Sequence, residues 1–96
     1  MNLEEIKEKI NKNKRLLKEK YSVKSIGVFG SAVKNAVGKD SDIDILVEFF
    51  EVPDIFEFIE LEGFLTNLLG AKVDLVTKRA LKPLIKDAIL NETVYI

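Results

Sequence analysis

Two spacings of apolar residues divide the chain. Over residues 2–20, Leu3, Ile6, Ile10 and Leu17 recur on one face at helical spacing, with glutamates leading and lysines trailing as the helix macrodipole favours. Residues 23–29 are rich in Val, Ile and Phe and end at Gly30, which predicts a first strand. A short helical turn is expected over 31–35. Val37-Gly38-Lys39-Asp40-Ser41 has the residues of a loop, and a second strand follows over 42–50. Pro53-Asp54 stops that strand and opens a helix that runs to Leu69, with Gly70 as its stop. A third strand is predicted over 71–77 and a short helix over 83–90, its proline at a tolerated first-turn position. Asn91-Glu92 then turns the chain into a final edge strand over 94–96. This order of elements predicts an α/β (α+β) fold, a sheet sandwiched with helices. The short link between the first two strands makes them neighbours, and its length allows either parallel or antiparallel pairing.

The helix over 55–69 breaks the usual one-stripe pattern. Ile55, Phe56, Phe58, Ile59, Leu61, Phe64, Leu65, Leu68 and Leu69 spread over more than one face, whereas a surface helix buries one stripe. Either the helix is wedged between the sheet and the terminal helix, or part of it forms a surface for a partner or a second copy of the chain.

Composition narrows the chemistry. Ninety-six residues predict a single domain over 1–96, burying roughly 60 to 65 per cent of its unfolded surface. Fifteen Lys and Arg against sixteen Asp and Glu give no overall basic field, so nucleic acid is not expected as a direct partner. The lysine-rich face of the first helix reads as solvated. With no cysteine and no histidine, thiolate and imidazole schemes are excluded, and any base is a carboxylate, a lysine or a metal-bound species. The opening MNLEEIKEKI matches neither a signal peptide nor a membrane span, so a cytoplasmic protein without a membrane partner is expected.

Strands disfavour aspartate, yet the second strand opens on Asp42-Ile43-Asp44. Alternation puts Asp42 and Asp44 on one face and Ile43, Ile45 and Val47 on the other. Same-face neighbours lie roughly 6.5 Å apart, and two unit charges at that distance repel by about 2.5 kcal/mol at an effective dielectric of about 20. A hard cation such as Mg²⁺, which takes one or two protein carboxylates and leaves the rest of its shell to water and substrate phosphates, would relieve that repulsion. Gly30 lets the backbone approach a phosphate, and Ser31 offers a hydroxyl and an amide. An acid pair beside a phosphate cradle points to nucleotide chemistry.

Gly30-Ser31, ten intervening residues, then Asp42-Ile43-Asp44 at the head of a strand resembles the signature of the DNA polymerase β-like nucleotidyltransferase superfamily. The stretch Ser41-Asp42-Ile43-Asp44-Ile45-Leu46-Val47 is similar to its minimal members, the MNT domains, which serve as antitoxins of HEPN-domain toxins. The resemblance covers nearly the whole chain and implies a small mixed β-sheet flanked by helices. It also implies a third carboxylate on a later strand, which Asp74 in Lys72-Val73-Asp74-Leu75-Val76-Thr77 supplies. Many relatives carry Arg-Gly where this chain has Lys34-Asn35; lysine keeps the charge without arginine's bidentate fork.

The resemblance implies a metal and catalytic set of Asp42, Asp44 and Asp74, a nucleotide-binding set of Gly30, Ser31 and Lys34, ATP as substrate and two Mg²⁺ ions. The implied reaction is transfer of AMP to a hydroxyl, a tyrosine, on a HEPN-type toxin, which makes this an antitoxin. The alternative is a non-catalytic antitoxin that masks its partner through the apolar 55–69 helix around Phe56, Phe58 and Phe64. A homo-oligomer stays open.

Overall fold

The computed structural model describes residues 1–34 and 42–96. The loop expected over 37–41, and Asn35, lie outside the described residues.

The amino-terminal amphipathic segment folds as two helices, α1 (Leu3–Lys12) and α2 (Lys14–Tyr21), where the sequence pattern predicted one. The break falls at Asn13, whose backbone leaves the helical region at φ −112° and ψ 11° and whose side-chain amide donates to the Lys9 carbonyl at 2.9 Å. An asparagine that can bond a nearby backbone oxygen competes with the helix's own ladder. The break leaves the buried stripe intact, because Ile6, Ile10 and Leu17 still face the core. Asn2 caps α1 by accepting the Glu5 N–H.

Strand β1 (Val23–Phe29) leads through Gly30 into the single-turn α3 (Ser31–Lys34). Strand β2 (Ile43–Phe49) pairs antiparallel with β1, which resolves the pairing that link length left open. Helix α4 (Ile55–Leu69) starts on a capping box, in which the Asp54 side chain accepts the Glu57 N–H and the Glu57 carboxylate accepts the Asp54 N–H. It ends at Gly70 with φ +67°. Strand β3 (Val73–Thr77) lies parallel to β2, and a turn of 3₁₀ helix (Lys78–Ala80) leads to α5 (Pro83–Glu92) and the short β4 (Val94–Tyr95), antiparallel to β1. The sheet order β3-β2-β1-β4 is mixed, as the resemblance implied.

The main core joins α1, α2 and α4 to one face of this sheet. Ile26, Val28, Ile43, Ile45, Val47, Val73 and Leu75 meet Ile6, Ile10, Leu17, Leu61, Leu65 and Leu69 there. Helix α4 is therefore split by role: its carboxyl-terminal half is core, with Phe58 and Phe64 packed against it, while Ile55, Phe56 and Ile59 at the other end are exposed. Among the described residues no helix is long and apolar enough to cross a membrane.

Candidate nucleotidyl-transfer site

The second face of the sheet carries the chemistry. Asp44 stands in register with Phe29 of β1 on one side and with Asp74 of β3 on the other. Registered residues of neighbouring strands share a face and sit about 4.8 Å apart, so Asp44 and Asp74 are side by side. Asp42 lies one residue before the ladder begins, half-buried, with the Lys72 ammonium a loose 3.9 Å away. Asp74 is exposed, whereas Asp44 is half-buried.

The electrostatics follow from this crowding. Burial first, then the negative charges of Asp74, Asp42 and Glu92, lifts the Asp44 carboxyl above its ordinary value. A carboxylate raised by burial and by neighbouring carboxylates is a state commoner at functional sites than elsewhere.

Gly30 adjoins the acid cluster for a steric reason. Its φ of +70° lies in the left-handed region, and a Cβ built there would collide with the Asp44 carboxylate. Gly30 thus turns the chain and lets the backbone lie against Asp44. Its carbonyl accepts the Val33 and Lys34 N–H groups and so shapes α3. Its own N–H points to the opposite end of the chain and donates to Glu92 Oε1 at 3.1 Å. Lys34 Nζ reaches the other oxygen of the same carboxylate, 3.2 Å away. Ser31 is exposed beside them.

Asp42, Asp44, Asp74, Gly30, Ser31 and Lys34 are therefore gathered at one edge of the second face. Glu92 is the residue that sequence reasoning missed. It was read as part of a turn, and no local pattern signals a contact across sixty-two positions.

The donor set fits a hard divalent cation in its chemistry: oxygen ligands only, on strands and strand ends, with a charge excess that a cation would cancel. Asp42, Asp44 and Asp74 are the side chains that would hold it. Among the described residues no three carboxylates already converge as a metal cage. A groove of about 760 Å³ lies elsewhere, at the far ends of β2 and β3 between Phe50, Pro53, Ile55, Phe58 and Arg79. Its wall is mostly apolar and none of Asp42, Asp44 and Asp74 lines it, so the chemistry is assigned to the acidic edge rather than to this groove.

A mixed four-stranded sheet with an acid pair heading one strand and a Gly-Ser turn ending its antiparallel neighbour defines a nucleotidyltransferase-type protein. Comparison with known proteins agrees. Residues 10–96 match the nucleotidyltransferase domain family, and the chain belongs to that family. It is 54% identical over 95 residues to a candidate protein adenylyltransferase of Methanocaldococcus jannaschii, covering 98% of this chain and 97% of that protein. It is 48% identical over 96 residues to the protein adenylyltransferase MntA of Thermococcus cleftensis, covering 100% of this chain and 97% of that one. A solved candidate minimal nucleotidyltransferase superposes with a TM-score of 0.82 at 31% identity, over 98% of this chain and 95% of the other. A solved complex of tri-AMPylated Shewanella oneidensis HEPN toxin with MNT antitoxin matches with a TM-score of 0.66 at 26% identity, over 94% of this chain and 70% of that chain.

Proposed function

We propose that this protein is an ATP-dependent protein adenylyltransferase and that it acts as the antitoxin of a HEPN-type toxin, moving AMP onto a tyrosine hydroxyl of that partner. The observation that carries the reading is the Asp44–Asp74 register beside Gly30, in a chain about half identical to proteins named adenylyltransferases. In the reaction the acceptor oxygen bonds to the α-phosphorus, the bond from that phosphorus to the bridging oxygen breaks, and pyrophosphate leaves. Asp42, Asp44 and Asp74 would hold a divalent cation, which would supply charge neutralisation at the triphosphate. Asp74 is the exposed member of the set and serves the acceptor hydroxyl either as a ligand of that cation or as the base that takes the proton. The Gly30 N–H, the Ser31 hydroxyl and the Lys34 ammonium hold phosphate oxygens.

The test is the intact mass of the partner toxin after incubation with this protein, ATP and Mg²⁺. AMP-sized increments that vanish with Asp42→Asn combined with Asp44→Asn support transfer; an unchanged mass with the native protein sinks it.

A second reading has its own observation. Ile55, Phe56 and Ile59 form an exposed apolar end of α4 beside the groove at Phe50 and Pro53. A masking antitoxin would use that end, and would protect the cell undiminished after the double aspartate substitution.

A further inference from the structure

One carboxylate in the site has no part in the transfer chemistry. Glu92 stands at the last residue of α5 and spends both oxygens on the two donors assigned to nucleotide phosphate, Oε1 on the Gly30 N–H and Oε2 on the Lys34 ammonium. Donation from Lys34 first, then from Gly30, holds its carboxyl below the ordinary glutamate value, so it is an anion where a phosphate would be an anion.

The backbone around Glu92 is anchored independently. The Thr93 N–H and hydroxyl both bond the Ile89 carbonyl, and the Thr93 methyl lies over Gly27, where a Cβ on the glycine would meet it at 2.5 Å. The Ile96 N–H bonds the Ile26 carbonyl at 2.9 Å. The chain end is thus fastened to β1, and Glu92 reaches the cradle by its side chain alone, which remains about a quarter exposed at 26%. A side chain placed so can swing to water without unpairing β4.

We infer that Glu92 is an internal competitor of the nucleotide: in the free protein its carboxylate fills the anion position between Gly30 and Lys34, and a triphosphate binds by displacing it. The inference rests on the reading of Gly30 and Lys34 as phosphate ligands. One N–H cannot serve two anions at full strength, and Glu92 adds negative charge to an edge that already holds Asp42, Asp44 and Asp74. Glu92 therefore sets nucleotide affinity from sixty-two residues away, and its release is part of the cost of binding.

Calorimetric titration of the full chain with a non-hydrolysable ATP analogue and Mg²⁺ tests this, using the native protein, Glu92→Gln and Lys34→Met. Glutamine keeps an acceptor for the Gly30 N–H and removes only the charge. Glu92→Gln is expected to lower Kd by about tenfold, the worth of one charge-assisted contact discounted for exposure, and Lys34→Met to raise it. A gain in affinity is diagnostic, because structural damage weakens binding. Unchanged or weaker binding by Glu92→Gln, with Lys34→Met still impaired, overturns the competitor and leaves the cradle standing. Unchanged binding by Lys34→Met removes the cradle, and the competitor with it.

Discussion

The two faces of strand β2 obey opposite rules although they share one backbone. Ile43, Ile45 and Val47 are sealed against α1 and α4, with Ile43 and Ile45 at 0% exposure. Asp44, between them in sequence, emerges on the other face among carboxylates that repel it. Leu46 is also buried on that second face, so the acidic edge is local to the strand's beginning and does not reflect general exposure. One face stores stability and the other spends some of it on a charge arrangement that, on the proposed reading, a cation and phosphates would relieve. Such a division is the usual relation between a core and an active site, where optimal stability and function pull apart.

Breaking the acidic side should have the largest functional effect. Asp42→Asn with Asp44→Asn is expected to cut AMP transfer by about a thousandfold or more, since a cation anchor contributes several kcal/mol to the transition state, while circular dichroism shows a folded protein. Breaking the apolar side should do the reverse. Ile45→Ala removes a fully buried side chain and is expected to cost about 2–5 kcal/mol in urea unfolding, with transfer per folded molecule retained.

Gly30→Ala tests the point where the faces are tied together. A left-handed backbone costs a non-glycine residue about 1–2 kcal/mol, and the new methyl group meets the Asp44 carboxylate. The expected outcome is a lower Tm and lost nucleotide binding together, whereas Gly63→Ala, at a helical glycine with open space around it, leaves binding intact.

The smallest effect sharpens the contrast most. Asp44→Asn alone is expected to stabilise the protein by only a few tenths to about 1 kcal/mol after solvent screening, with transfer lowered less than in the double variant. The sign with pH follows from the raised Asp44 pKa. The native state holds this proton more tightly than the unfolded chain, so Asp44 lowers stability as pH rises from its ordinary value of 3.8 through the raised one. The advantage of Asp44→Asn should therefore be full at neutral pH and fade on acidification through that window. Thermal melts of both proteins across the carboxylate range measure it; an advantage independent of pH contradicts the charge explanation.

Strand positions, the shared face of Asp42 and Asp44, the buried Ile43, Ile45 and Val47 opposite, and the Gly30 turn were all legible in the sequence, because each depends on periodicity or on a residue's own backbone limits. Helix α4 was legible in extent but not in role. Its apolar residues show no single stripe, and only packing against Tyr21 and the sheet separates Leu61, Leu65 and Leu69 from the exposed Ile55, Phe56 and Ile59. The break at Asn13 was hidden because apolar spacing continues across it.

Local sequence, then, determined where the chain extends, coils and turns, and which residues carry charge at the head of β2. Tertiary structure decided who stands beside whom. The antiparallel β1–β2 pairing, the parallel β2–β3 register that sets Asp74 against Asp44, and the reach of Glu92 to Gly30 and Lys34 join residues far apart in sequence. The physical reason is that side-chain alternation and turn chemistry are properties of a few consecutive residues, whereas register and cross-chain contacts are chosen by burial of the whole apolar face at once.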